Sequence, residues 1–288
     1  MFQHLIPTSV VPDWKPSFFV RASFAVHGLA LFAVIAVPKL WGWAILAMLV
    51  NHLALTIFGL WPTCRYLGPN LTRLPEAARR RNEVALTFDD GPDPDVTPLV
   101  LDILDRYQAK ATFFVVGARA MRLPDLCREI VRRGHTLANH TQHHKNSFAC
   151  LGWKGQMQQI VMAQQTIKRI TGQEPRLFRA PMGMRNPILD PVLSRLGLPL
   201  ITWNRRGYDT RCADCKTLLA RLTRKLGAGD IVLLHDGNSA ISVNGQPVIL
   251  ELLPKLLNII TAMRLKPVAL EDALCEPQAN DSLNLSGW

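Results

Sequence analysis

ALTFDDGP, residues 85–92, is an apolar, β-prone run that ends in two adjacent carboxylates and a Gly-Pro turn. The run has the composition of a buried strand, and the Gly-Pro pair marks its end. Two carboxylates side by side raise each other's cost of ionisation. They call for a cation, a hydrogen-bond donor or a shared proton. The rest of the chain must supply that partner.

Outward from this stretch, apolar runs alternate with amphipathic ones. VALTF (84–88), ATFFVV (111–116), HTLANH (135–140), RLFRAP (176–181), LPLITW (198–203), DIVLLHD (230–236) and PVAL (267–270) read as strands. Residues 96–108, 126–133, 155–170, 218–226 and 248–265 carry helical periodicity, and Gly134, Gly172, Gly197 and Gly227 stand where helices should stop. Repeated strand–helix units predict an α/β fold, a distorted (β/α) barrel of about seven parallel strands. Functional groups of such folds gather at the C-terminal ends of the strands. Asp89 and Asp90 end the first strand, His140 the third, Arg179 the fourth and His235 with Asp236 the sixth, while Asp209 follows the fifth by a short loop.

Upstream the composition changes. Residues 17–37 and 40–61 are each about long enough to cross a bilayer as a helix, with only Pro38-Lys39 between them, which predicts an N-terminal transmembrane helical hairpin. Asn51 and His52 fall near mid-span and require a partner helix. Lys15 and Arg21 precede or open the first segment and Arg65, Arg73, Arg79, Arg80 and Arg81 follow the second, so both ends are expected in the cytoplasm of a bacterial-type inner membrane, with the remaining domain beside them. The net charge of +11 then fits a membrane surface, and no nucleic-acid-binding motif accompanies it. The six cysteines follow no disulfide-scaffold spacing, which fits a reducing compartment; Cys212 and Cys215 form a lone C-x-x-C read as two loop thiols. The expected organisation is a membrane region over 1–62, a basic juxtamembrane linker over 63–82, a catalytic domain over 83–272 and a C-terminal tail over 273–288.

HTQHH (140–144) puts His140 and His144 four residues apart, with His143 as a rival ligand. Two imidazoles with one carboxylate of the Asp89-Asp90 pair form a two-histidine, one-carboxylate set with open positions for water and substrate. That answers the question the paired acids raise. An ion neutralises one aspartate and the other stays free as a base.

TFDDGP (87–92), H-T-x-x-H (140–144), RAPMG (179–183), Asp209 and LLHDG (233–237) occur in an order that resembles the polysaccharide deacetylase, or NodB-homology, family, carbohydrate esterase family 4. The resemblance covers about residues 83–272 and leaves out the hairpin. It implies a metal-dependent hydrolase that removes an N-acyl, above all N-acetyl, group from an amino sugar. Asp90, His140 and His144 would hold a divalent ion, zinc before cobalt, nickel or manganese. Asp89 would be the base, Arg179 its partner, and His235, tuned by Asp209, the acid. Met182 would offer its backbone N–H to the oxyanion, and Trp203 and Leu233 would wall the sugar groove. The family usually has an aromatic residue in place of Met182, a tryptophan in place of Thr210 and an aspartate in place of Arg206, so the groove is altered while the donor set is intact. The hairpin suggests a lipid-linked substrate. A deformylase is the nearest chemical variant, and a membrane-anchored carbohydrate-binding or scaffold protein without turnover is the alternative from another class.

Overall fold

The fold, taken from a computed structural model, is described over residues 14–275. Residues 1–13 of the expected membrane region and 276–288 of the expected tail lie outside the described residues. Two long helices come first, α1 (Phe18–Ala36) and α2 (Trp41–Leu60), joined by a single turn over Pro38–Leu40. Then follow α3 (Glu76–Arg80), β1 (Glu83–Asp89), α4 (Thr97–Arg106), β2 (Thr112–Val115), α5 (Gly117–Arg122), α6 (Pro124–Arg132) and β3 (Thr136–Asn139). The second half contains α7 (Trp153–Thr171), α8 (Leu189–Leu196), β4 (Arg205–Arg206), α9 (Cys215–Thr223), β5 (Ile231–His235), α10 (Val248–Ala262), β6 (Lys266–Val268) and α11 (Leu270–Leu274).

The strands form one parallel sheet in the order β3-β2-β1-β5-β4, with β6 also paired to β1. β1 is buried along nearly its whole length, as a parallel strand covered on both faces must be, and Phe88 stacks on Phe113 of β2 at 4.9 Å between ring centroids. Parallel bridges carry the pairing beyond β3, from Asn139 to Phe178 and from Phe178 to Leu200. The same stretch of chain reaches β5 where Arg205 pairs with Val232. The pairing therefore runs from β1 around through β2, β3, Phe178, Leu200 and β5 back to β1.

Two expected strands shrink to these bridges, so the described sheet has six strands rather than about seven. Pro199 sits inside LPLITW and Pro181 ends RLFRAP, and neither can donate to a ladder. Three of the expected helix stops, Gly134 (φ 77°), Gly172 (φ 74°) and Gly197 (φ 65°), adopt the left-handed conformation. Gly227 does not serve. The helix before it ends at Thr223, and Lys225 takes the positive φ of 60°.

α1 and α2 are long and apolar enough to cross a membrane. Their large side chains project away from the rest of the chain, with Phe18 80%, Ile35 71% and Trp43 70% exposed. The polar groups inside them meet one another: Asn51 Nδ2 donates to Ser23 Oγ at 2.8 Å, and His52 Nε2 lies 3.4 Å from His27 Nε2. Each helix supplies the partner the other needs.

The segment after α2 is packed rather than strung out. Cys64, Leu67 and Leu74 are buried, the Leu71 N–H donates to Leu200 O at 2.9 Å, and the Thr202 N–H donates to Leu71 O at 2.9 Å. Arg185 clasps the same segment, donating to Cys64 O at 2.5 Å and Gly68 O at 3.3 Å. Much of the basic cluster is used locally as well, Arg73 on Asp230 (2.9 Å), Arg79 on Glu76 (2.8 Å) and Arg81 on Glu83 (2.6 Å).

Candidate active site

Parallel registration brings the ends of the strands level. Asp89 of β1 sits opposite His235 of β5 on one side and Phe114 of β2 on the other. Asp90 is the next residue, and His140 directly follows β3. The two glycines beside these acids are there for space. A Cβ on Gly91 would lie 2.2 Å from Asp236 Oδ2, and one on Gly237 would lie 2.5 Å from Asp90 O. The motifs at residues 87–92 and 233–237 are thus two chain turns packed against each other.

Asp90, His140 and His144 point at one another. Asp90 Oδ1 lies 3.1 Å from His144 Nε2 and 3.5 Å from His140 Nε2, and the three donor atoms fall within 4.8 Å of one another. His140 Nδ1 is 2.8 Å from Arg179 O, a contact that selects the Nδ1–H tautomer and leaves Nε2 as a lone-pair donor. His143 is exposed and turned away, its backbone N–H held by Gln159 Oε1 at 3.1 Å. Of the two candidate ligands in HTQHH, His144 is therefore the one beside the carboxylate. Burial would raise the Asp90 carboxyl, but the hydrogen bond and charge of His140, with the charges of His144 and His235, hold it below the usual carboxylate range. Burial and the neighbouring His140 push the His144 imidazole down. An ionised carboxylate and a neutral imidazole are the protonation states that bind a divalent cation, so these side chains fit such an ion.

Asp89 points into the same cleft but has a different partner. Its Oδ1 accepts from Arg179 Nη1 at 2.6 Å. Arg179 is completely buried, and its remaining donors reach Thr87 Oγ1 (2.9 Å), Thr202 O (3.1 Å) and Ile201 O (3.3 Å). The guanidinium also lies 4.0 Å above the centre of the Phe114 ring. These contacts anchor Arg179 and, through it, the Asp89 carboxylate, whose Oδ2 lies 3.8 Å from His140 Nε2.

On the opposite wall His235 Nδ1 meets Asp209 Oδ1 at 2.8 Å, and the His235 backbone N–H donates to Asp209 Oδ2 at 2.8 Å. Burial would lower the His235 imidazole, but the charge and hydrogen bond of Asp209 outweigh it, and the net direction is upward. Met182 lines the cleft at φ 57° and ψ 6°, a left-handed conformation uncommon for a side chain of its size. Asp90 (φ 71°), Thr141 (φ 66°), His144 (φ 45°) and Asn238 (φ 61°) share the left-handed region, so backbone strain concentrates around this cleft. Trp203 and Leu233 line it too, though Leu233 is also part of the core beneath.

Sequence reasoning passed over Asn238. Its Nδ2 donates to Asp90 Oδ2 at 3.0 Å, fixing the carboxylate oxygen that does not face the histidines. Its position one residue past LLHDG was the available signal. Outer-shell partners of this kind usually affect metal affinity 10- to 100-fold. Asn238→Ala is therefore expected to weaken binding of a divalent ion by about that factor, measured by titrating zinc into the metal-free protein. Unchanged affinity would show that Asp90 does not depend on this contact.

A parallel α/β sheet whose C-terminal rim brings an Asp-His-His donor set beside a second, separately anchored carboxylate has the parts that metal-assisted hydrolysis requires. Residues 76–201 match the polysaccharide deacetylase family. The chain is 32% identical over 166 residues to a peptidoglycan-N-acetylglucosamine deacetylase of Bacillus cereus, covering 57% of this chain and 77% of the relative. It is 34% identical over 168 residues to a chitooligosaccharide deacetylase of Sinorhizobium fredii, covering 58% and 78%. A solved family 4 carbohydrate esterase from Streptomyces lividans, in complex with acetate, superimposes with a TM-score of 0.58 at 31% identity over 64% of this chain and 90% of that one. The chain belongs to the polysaccharide deacetylase family, and it is a hydrolase of carbon–nitrogen bonds other than peptide bonds.

Proposed function

We propose that this protein removes an N-acetyl group from an amino sugar, using a divalent ion, zinc in the first instance, held by Asp90, His140 and His144. The observation that carries the reading is the unequal treatment of the two adjacent aspartates. Asp90 shares its Oδ1 with two imidazoles, while Asp89 is anchored by buried Arg179 and left outside the donor set. The bound ion would polarise the amide carbonyl and make water a better nucleophile. Asp89 accepts the proton of the attacking water, and Arg179 keeps its carboxylate turned to the cleft. The backbone N–H of Met182 donates to the oxyanion as the carbonyl carbon becomes tetrahedral. His235 gives its proton to the departing amine, so that the C–N bond breaks to release acetate and a free amino sugar. The acetate in the solved relative and the amino-sugar polymers named for the curated relatives support this assignment. Trp203 and Leu233 form the apolar wall against which the sugar packs.

The same reading extends to location. α1 and α2 form a membrane hairpin, both ends of which face the cytoplasm, and the catalytic domain of the distorted (β/α) barrel type, spanning 83–272, lies at that surface. Support comes from the length and exposed apolar surface of the two helices, from the cationic Lys15, Arg21 and Arg65 at their ends, and from six free cysteines. An amino sugar carried on a lipid is then the substrate within easiest reach.

The test is to incubate the detergent-solubilised, zinc-loaded chain with free and lipid-linked N-acetyl and N-formyl sugars and to identify the acid released. Acetate supports the reading, formate identifies the deformylase variant, and neither acid from any member overturns it. A second measurement concerns His235. As a proton donor it must be protonated, so the rate falls as pH rises through its raised value. Asp209→Asn removes the charge that does most to raise it, leaving the smaller effects of Asp89 and Asp90. The alkaline limb of the kcat profile is expected to move to lower pH, and a limb that stays in place would remove His235 from the role of acid.

A further inference from the structure

Two cations with no acidic partner among the described residues, Arg206 and Arg211, line the cleft beyond those the reaction on a neutral amide requires. Arg205 and Arg206 are consecutive residues of β4, and strand alternation sends them opposite ways. Arg205 is fully engaged, bonded to Asp230 Oδ2 at 2.5 Å, to Arg224 O at 2.7 Å and to Lys225 O. Arg206 instead lines the cleft with His235, Met182 and the Asp-His-His set. Its guanidinium is held by aromatic faces alone, 4.6 Å from the Tyr208 ring centre and 5.1 Å from that of Trp203. Its Nε is buried without a hydrogen-bond partner. Among the described residues Arg206 has no ion pair, and Arg211 lines the same cleft with no acidic partner either. The carboxylates nearby are committed, Asp89 to Arg179 and Asp90 to the two histidines.

A buried charged donor without an acceptor is costly and rare in native structures. Stacking fixes the plane of the fork while leaving its edge free, which is how arginine presents itself to a phosphate or carboxylate. We infer that Arg206, assisted by Arg211, binds an anionic group carried by the amino-sugar substrate itself, within the same cleft of about 290 Å³ that takes the acylated nitrogen. The inference rests on the deacetylase reading for its substrate and adds the charge that substrate must carry. A phosphate at the sugar's anomeric carbon, free or esterified to a lipid, and the carboxylate of an amino uronic acid share this chemistry.

The test compares the full-length chain and its Arg206→Gln, Arg206→Lys and Arg211→Gln variants on four probes. These are N-acetylglucosamine, its 1-phosphate, a polyprenyl-phosphate-linked form, and an N-acetylated amino uronic acid. The expected result is a kcat/KM preference of the wild type for an anionic probe over the neutral one. Arg206→Gln should shrink that preference by about 10- to 100-fold, the span of a charged hydrogen bond. Arg206→Lys, which keeps the charge and loses the fork, should recover part of it, and Arg211→Gln should lose less. Whichever anionic probe shows the preference identifies the source of the anion. Equal kcat/KM for neutral and charged probes, or an equal fall on all of them in Arg206→Gln, would overturn the proposal. Calorimetric binding of the sugar phosphate and of the amino uronic acid to the metal-free protein decides the matter separately from turnover. If no acid is released from any probe the deacetylase reading fails, yet binding of either anion abolished by Arg206→Gln would still uphold the anion site, and absent or unaltered binding of both would sink it.

Discussion

Asp89→Asn is expected to lower kcat for acid release by roughly 10²- to 10⁴-fold, the usual contribution of a positioned general base, while the protein still binds a divalent ion. Asparagine is the informative replacement because, among the described residues, Asp89 is the only carboxylate paired with the fully buried Arg179, at 2.6 Å. Alanine would leave that guanidinium charged and unpaired, a defect that typically costs about 3–5 kcal/mol, and lost activity could then reflect a damaged fold. The asparagine oxygen can still accept from Arg179 Nη1 but cannot take a proton from water. Three measurements separate the outcomes: kcat by acetate release, bound zinc by elemental analysis, and the thermal midpoint. Low kcat with bound metal and an intact transition supports the base. Activity within about tenfold of wild type would mean that another group removes the proton, since general bases contribute at least 10²-fold.

The legibility of this site in the sequence follows from where its residues sit. Asp89, Asp90, His140 and His235 lie at or just past the ends of strands that can be read from the sequence, β1 and β5 by their largely apolar runs and the shorter, half-polar β3 by its place between two helices, so strand recognition and site recognition are one step. Parallel registration then aligns those ends without further information, as the pairing of Asp89 with His235 shows. Arg179 and Trp203 are harder to place, because Pro181 and Pro199 reduce their segments to single bridges and leave the path of the backbone to tertiary contacts. The short α5 and α8 lack the length that makes a periodic pattern visible, and α8 begins inside a proline-rich stretch. The packing of residues 64–74 was hidden for another reason. Proline and arginine in that stretch describe a surface linker, yet Leu71 exchanges backbone hydrogen bonds with Leu200 and Thr202, more than a hundred residues away. Composition reports what a segment can expose and says nothing about a distant partner that offers it a place in the sheet.

That packing has a consequence for the proposed membrane arrangement. Gly59, near the end of α2, accepts from the Arg185 N–H at 3.0 Å, and a Cβ on Gly183, next to Met182, would lie 2.7 Å from Pro62. α2 is therefore tied directly to the loop that carries Met182, with Pro62 packed against Gly183. A substrate tethered in the same bilayer would meet the cleft on the side where its carrier enters the membrane, a geometry that a flexible linker would not supply.

The donor set itself makes the sharpest distinction among three neighbouring histidines. His140→Ala and His144→Ala are each expected to weaken zinc binding by more than about 100-fold, above the range for outer-shell changes, and to abolish acid release with it. His143→Ala is expected to leave both within about twofold, since isolated surface substitutions rarely alter a site they do not touch. The contrast follows from position. His140 and His144 bring their Nε2 atoms to 3.5 and 3.1 Å from Asp90 Oδ1, whereas His143 is exposed and absent from the cleft. Thr141 and His144 achieve this by adopting positive φ angles of 66° and 45°, braced by Asn139 Oδ1 on the Thr141 N–H at 2.8 Å and by Thr141 Oγ1 on the His144 N–H at 3.0 Å. Without that bend the chain after β3 would carry the second imidazole away from the first. Isothermal titration of zinc into each metal-free variant reads the effect directly, independently of any substrate. Tight binding by His144→Ala together with its loss in His143→Ala would transfer the ligand role to the neighbouring residue and require the loop to turn differently in solution. Loss in neither would remove the ion from Asp90, and with it the reason for two adjacent aspartates at the end of β1.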